Sequence, residues 1–267
     1  YFRLGDNEMI TSIFKKEFLS WMETKYAKSY RQHNYRLFID KLGISELDEE
    51  SLSNKTYKYG FAEYRPYEII SSGSYGGITS EIIDEFKTFA NIDFTYKKYR
   101  SPVSLAEAAI KGDIDLYYNY YNLITNYIDT GATKKIKYYV IAQNDIDLSL
   151  TNISGLYKQT VYVLENSYLS DILKNNKDIN IITYKNNNEL TKIIKKKAII
   201  LVDESEYNYY ITNKTNEYTV RLAGTLEENN YSFRYKNASD SFYLLFNAYT
   251  KTLDPSDLVR KGISSYN

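Results

Sequence analysis

The sequence predicts an α/β fold of two lobes, each a mostly parallel sheet with helices on both faces, joined by two crossover strands. Three observations carry this. Residues 57–118 alternate strand, helix, strand, helix, strand, and residues 156–222 repeat the alternation. Such β-α-β units place their strands parallel in one sheet and lay the helix across its face. Residues 198–202 are apolar without interruption, as a strand covered on both faces requires.

In the first run, residues 57–61 read as an aromatic strand and Ser74-Tyr75-Gly76-Gly77 as a turn. The helix that follows sets Ile78, Ile82, Phe86 and Phe89 on one face. Residues 92–96 are the next strand. Ser104 is placed as the cap of a helix through Ala106, Ala108, Ala109 and Ile110 that ends at Gly112, and residues 115–118 form the third strand. In the second run, residues 160–164 are a strand and Ser167 caps a helix with Leu169, Ile172 and Leu173 on its apolar face. A strand at 179–184, a helix at 189–195 and the strand at 198–202 follow, with Asp203 at its carboxyl end. A helix through 207–211 and a strand at 218–222 complete the run. Lobe 1 is then residues 57–142 with 232–267, and lobe 2 is residues 143–231. The connections are expected near 139–144 and 227–233. Open parallel sheets bind ligands at the carboxyl ends of their strands, so both lobes would present those ends to a shared cleft.

Ahead of the lobes lie residues 1–48 and a linker at 49–56, within the polar stretch 46–55. Tyr1-Phe2-Arg3-Leu4, followed by Met9, Ile10, Ile13, Phe14 and Phe18, loosely echoes Ser232-Phe233-Arg234-Tyr235, followed by Phe242, Leu244, Leu245 and Phe246. Two readings stand at equal weight. Residues 1–48 are the C-terminal remnant of a preceding, similar domain, or they are a helical extension packed on lobe 1.

The 267 residues suffice for a sizeable core, with 43% hydrophobic and 25% charged residues. The 34 basic and 34 acidic residues cancel, so no steering towards nucleic acid is expected. With no cysteine and a single histidine, His33, thiolate chemistry, disulfides and Cys/His zinc sites are excluded, and no metal or cofactor is expected. No apolar run is long enough to span a bilayer and the start carries no signal-peptide pattern. The opening on Tyr1 suggests a piece of a longer protein. The 31 tyrosines fit an AT-rich genome, and tyrosine is also a good cleft material, giving apolar area plus a hydroxyl at small rotamer cost.

Several short segments share one pattern. They are Tyr64-Arg65-Pro66-Tyr67-Glu68, Tyr75-Gly76-Gly77, Ser104-Leu105 leading to Lys111-Gly112-Asp113-Ile114-Asp115, the run from Gly155 to Val163, and the strand ending in Asp203. In order and spacing they resemble the type II solute-binding proteins that capture amino acids for transporters, the Venus-flytrap fold, over most of residues 57–267. The resemblance implies that Tyr64 stacks on a ligand and that Asn119, Tyr120 and Asn122 hold its polar end. It further implies that Ser167 marks a helix N-terminus facing a carboxylate and that Asp203 pairs with an α-ammonium. Tyr127 and Glu165 complete the expected ligand-binding set. Each has a plainer reading: Tyr64 as core, Ser167 and Asp203 as caps of the helices that follow them.

One departure matters more than the matches. The family places an arginine shortly after the third strand, where it grips the ligand's α-carboxylate. Here that stretch reads Thr125-Asn126-Tyr127-Ile128-Asp129, with no basic residue before Lys134. Hydrogen bonds to charged groups contribute about 1.5–3 kcal/mol, so the loss points away from a standard free amino acid and towards an amine or a peptide-like amide. It also resembles the drifted sites of flytrap domains in histidine kinases and diguanylate cyclases. The expected function is therefore a ligand-sensing domain on the extracellular or periplasmic face of a membrane. It would take a small-molecule ligand, be tethered to membrane and signalling domains, and allow homodimerisation. The alternatives are a substrate-binding component of an amino-acid-type ABC transporter, a dehydratase-like enzyme using Glu63, Asp115 or Asp203, and an adhesion module with a vestigial cleft.

Overall fold

The computed structural model describes residues 7–71, 73–212 and 215–264. Residues 1–4, the start of the echo, lie outside them. The chain opens with three helices, α1 (Glu8–Thr24), α2 (Tyr26–Leu42) and α3 (Glu46–Ser53). Ser45 caps α3 by accepting from the Asp48 amide, so the stretch expected to be a polar linker is helical. Ile39 of α2 and Leu52 of α3 are buried, and the rings of Tyr35 and Phe38 meet Phe89 edge-on at 5.6 and 5.3 Å. These contacts seat α2 and α3 on lobe 1. The apolar residues Met9, Ile10 and Ile13 of α1 are exposed.

Lobe 1 continues with β1 (Thr56–Ala62), β2 (Ile69–Ser71), β3 (Ser74–Gly76), α4 (Ile78–Ala90), β4 (Asp93–Tyr99), α5 (Pro102–Ile110) and β5 (Leu116–Asn119). β1 runs parallel to β4 on one side and to β5 on the other, as the β-α-β pattern predicts. Two local readings are corrected. Ser74, Tyr75 and Gly76 are not a free turn but a strand paired with Ile69–Ser71. Ser101, not Ser104, is the N-cap of α5. Ser104 is its third residue and completes a reciprocal capping box, with Pro102 preset for the first turn. Gly77 has φ +108°, and a Cβ there would sit 2.3 Å from the Tyr67 carbonyl oxygen, so only glycine fits this approach.

The chain then enters β6 (Ile128–Gln143), a 3-10 turn (Ile153–Leu156), β7 (Thr160–Leu164), α6 (Tyr168–Lys174), β8 (Asn180–Tyr184), α7 (Asn187–Ile194) and β9 (Ile199–Asp203). The short α8 (Glu204–Glu206) and a π-type turn (Tyr207–Thr212) stand where a regular helix was expected. β10 (Tyr218–Tyr235), α9 (Ser241–Thr250) and α10 (Pro255–Ser264) end the described chain. All five residues of β9 are buried.

Eight strands form one continuous sheet in the order β4-β1-β5-β10-β6-β9-β7-β8. β6 and β10 run antiparallel to each other through both lobes. The end of β10 pairs with β5 in lobe 1, while the end of β6 pairs with β9 in lobe 2, where β7 lies parallel to β8 and β9. The connections are thus two long strands, and the expected strand at 218–222 is only the start of one. The molecule is a bilobed α/β fold. Lobe 1 is aromatic inside: Phe242 of α9 stacks on Tyr57 at 4.1 Å and Phe246 meets Phe86 edge-on at 4.8 Å.

Candidate ligand-binding cleft

The carboxyl ends of β1, β5, β7 and β9 converge between the lobes. Beyond β1, the Tyr64 and Glu68 backbones exchange two hydrogen bonds of 2.9 and 2.8 Å. This closed loop holds Tyr64 and Tyr67 nearly parallel, at an interplanar angle of 7°, with Tyr120 from the end of β5 stacked against both at 5.2 and 5.5 Å. The expected ligand platform Tyr64 is 1% exposed and covered by other tyrosines. The Tyr120 hydroxyl donates to the Ala62 carbonyl of its own lobe.

Asp203 is the N-cap of α8, accepting the Glu206 amide at 2.7 Å through Oδ1. Its Oδ2 accepts the hydroxyls of Tyr67 at 3.1 Å and Tyr231 at 3.0 Å. Tyr67 belongs to lobe 1 and Tyr231 to crossover strand β10, so one carboxylate ties three elements together. Glu206 reaches back to the Asp203 amide at 3.5 Å and accepts the Tyr184 hydroxyl at 2.9 Å. Both carboxyls are about 2% exposed. Burial raises Asp203 above the usual carboxylate range against the hydrogen bonds it accepts. Burial and the Asp203 charge push Glu206 up to about 8. At neutral pH the pair therefore holds about one negative charge, since two adjacent carboxylates in a dry site do not both ionise.

Further contacts cross the cleft. Asn119 Nδ2 donates to the Tyr168 hydroxyl at 2.9 Å. Asn122 donates its amide to the Asn166 carbonyl at 2.8 Å and its side chain to Asp171 at 2.7 Å. The Arg65 amide donates to Asn187 Oδ1 at 2.8 Å, and Asn187 Nδ2 returns a bond to the Arg65 carbonyl at 3.3 Å. Lys134 of β6 donates to Ser205 at 3.0 Å and lies 3.5 Å from Glu204.

Other expected residues face elsewhere or are already engaged. The Tyr127 hydroxyl donates to the Ile114 carbonyl, just ahead of β5 and away from that strand's carboxyl end. Ser167 caps α6, accepting from the Ser170 amide and donating to the Leu164 carbonyl. Half-buried Glu165 is fixed through its amide to the Tyr184 carbonyl. Of the acid/base candidates, Glu63 is ion-paired with Lys98 and Arg65. Asp115 accepts the Lys58 amide and pairs with Lys236 and Lys55. Burial would raise it, but these partners hold it below the ordinary range.

Sequence reasoning missed Tyr67, Tyr231 and Glu206 as cleft groups. Glu206 was signalled by the Asp-x-x-Glu spacing of a capping box. It also missed a cation: Arg234 of β10 sits opposite Asp129 and pairs with it at 3.1 Å. Its guanidinium also counters the burial that pushes the Tyr168 hydroxyl up. The stretch 125–129 carries no arginine of its own, yet a guanidinium reaches it from the neighbouring strand. Among the described residues, no group of three or more His, Cys, Asp or Glu could hold a metal. No described helix is long and apolar enough to cross a membrane.

No protein-family model matches the sequence, and no curated protein does. Solved structures match well. The periplasmic domain of BvgS from B. pertussis superposes with a TM-score of 0.63 at 12% identity, covering 83% of this chain and 45% of that one. The chain thus spans about half of that domain. The periplasmic VFT2 domain of Bordetella pertussis BvgS alone matches at 0.63 and 12%, covering 84% of this chain and 98% of that one. The amino acid ABC transporter substrate-binding protein AbpA from Streptococcus pneumoniae, bound to L-arginine, matches at 0.63 and 13%, with 81% and 98% covered. By its two lobes, its paired crossover strands and these likenesses, the chain has the Venus-flytrap fold of type II solute-binding proteins.

Proposed function

We propose that the chain is an extracytoplasmic solute-binding domain whose two lobes open and close on a small polar molecule, with no catalytic step. The observation that carries this is the Tyr67–Asp203–Tyr231 contact, a buried carboxylate at the meeting point of both lobes. The hydroxyls stand where a ligand's ammonium would donate, and an amine would replace two neutral donors with a charged one, at roughly twice the strength. Arg234, the guanidinium that reaches the stretch 125–129, is engaged by Asp129. The ligand class is thus an amine or an amide-bearing cation.

Two uses of the stroke are supported by different observations. Delivery to an ABC transporter draws on the comparisons, in which AbpA and an arginine-binding protein from T. maritima are covered over 98% of their length. Sensing draws on the cleft, which the protein's own tyrosines fill and its own hydrogen bonds bridge. Lobes that bond each other directly suit a receptor whose ligand shifts an existing equilibrium.

Calorimetric titration with a panel of amines, amino acids and short peptides tests the ligand class, using the native chain and Asp203→Asn. The substitution keeps an acceptor for the Glu206 amide and removes the charge. Binding of an amine that weakens about tenfold or more in Asp203→Asn supports the assignment. Equal affinity in both proteins overturns it.

A further inference from the structure

We propose that the open end of the cleft is a second ligand site, for a small oxyanion of two or more negative charges, which binds the closed form and clamps the lobes together. The site is a cavity of about 470 Å³ between the lobes. Lobe 1 supplies Glu63, Arg65, Lys98 and Arg100, and lobe 2 supplies Asn187 and Thr191 among its polar wall. Three cations thus face one carboxylate. Glu63 pairs with Lys98 and, at 3.7 Å, with Arg65, which offsets one charge and leaves an excess of two. Lys98 is the penultimate residue of β4 and Arg100 follows its last residue, Tyr99, and both line the cavity.

The lobe 2 wall carries amides, hydroxyls and no carboxylate. An oxyanion would meet cations on one side and the side-chain amides of Asn186, Asn187 and Asn188 on the other. The Thr191 hydroxyl is donated to the Asn187 carbonyl. A concave wall of one sign concentrates the field. The deep cleft has the opposite character, with Asp203 and Glu206 at its centre, so one molecule would not suit both. The two walls are held in register by the paired bonds between the Arg65 backbone and the Asn187 side chain. Opening the lobes breaks those bonds and parts the walls, so an anion bound to both stabilises the closed form by mass action. The clamp rests on the proposed opening and closing of the lobes, whereas the charge arrangement does not.

Titration of the whole chain with pyrophosphate and with citrate at constant ionic strength tests the site, with sodium chloride and spermidine as controls. The expected result is saturable binding of at least one oxyanion. Its affinity should fall about tenfold or more in Arg100→Glu and less in Lys98→Gln, and weaken with added salt. Binding of pyrophosphate alone assigns a phosphoryl ligand, and of citrate alone a carboxylate ligand. No binding of either up to about 10 mM, or equal affinity in both surface variants, overturns the site. Because the chain has no cysteine, Lys111→Cys/Lys177→Cys carries a spin label on each lobe for a distance measurement. An oxyanion that binds without shifting the population to the short distance overturns the clamp. An amine that shifts it while oxyanions do not leaves the flytrap stroke standing and removes the clamp. Distances that no ligand changes remove the stroke, while the titrations still decide the anion site.

Discussion

At the inner end of the cleft the lobes meet through Asp203, which takes hydroxyls from Tyr67 and Tyr231 in a dry, tyrosine-lined space. At the outer end they meet through the Arg65 backbone and the Asn187 side chain, beside an open cavity lined by cations. The inner contact has no water to fall back on, so each lost partner leaves a buried group unsatisfied. The outer contact exchanges readily with solvent. Under the proposed stroke, closing is thus expensive to imperfect chemistry at one end and tolerant of it at the other, which would place specificity inside and adjustable strength at the rim.

The hardest test of that contrast is Asp203→Ala. It removes the N-cap of α8 and leaves two hydroxyls and an amide without their acceptor. The expected loss is about 3 kcal/mol of unfolding free energy, from the cap and the orphaned donors together. Urea denaturation measures it. A loss below about 1 kcal/mol would mean that water already reaches the inner contact, and the contrast with the rim would fail.

Acidity probes the same place. Burial holds Glu206 and Glu68 at about 8 in the fold, whereas in the unfolded chain both ionise above about pH 4.3. Between those limits the folded state holds the extra protons. These groups therefore contribute stability that is complete below the unfolded value and is lost as pH rises through the folded one. The slope is at most about 1.4 kcal/mol per pH unit for each group. Glu206→Gln should flatten the decline between about pH 5 and 8. An unaltered slope in chemical denaturation at several pH values would show that Glu206 does not carry its proton there.

Much of this is legible in the sequence, and the reason is periodicity. The run 198–202 had to be a central strand because no half-exposed element tolerates five apolar residues in a row, and a strand that ends places the next residue, Asp203, at the sheet's carboxyl edge. What escaped was set by tertiary partners. Tyr67 and Asp203 are 136 positions apart, and no local pattern says which of 31 tyrosines will meet a carboxylate. Tyr127 shows the converse: its hydroxyl serves the Ile114 carbonyl, because its ring packs on Tyr117. Ser104 lies within the helix rather than at its cap, and Pro102, which suits the first helical turn, points to Ser101 instead.

Smaller effects follow from trimming single donors. Tyr67→Phe and Tyr231→Phe each leave Asp203 one hydroxyl, and each should cost about 1 kcal/mol. Because they share an acceptor, the double variant should lose more than the sum. A double-mutant cycle by denaturation measures the coupling, and strict additivity would mean that the two hydroxyls do not bond the same oxygen at once.

The least costly change should be Asn187→Ala at the rim. It removes both bonds to the Arg65 backbone, but the freed amide and carbonyl find water at a half-exposed site, so unfolding free energy should fall by about 0.5 kcal/mol or less. The effect should instead fall on the open–closed equilibrium, because these bonds exist only while the lobes touch. Spin-label distances across the lobes would then show a larger open population in Asn187→Ala at nearly native stability. If stability dropped as far as in Tyr67→Phe, the rim would be as dry as the interior, and the cavity beside it would be unfit for a solvated anion.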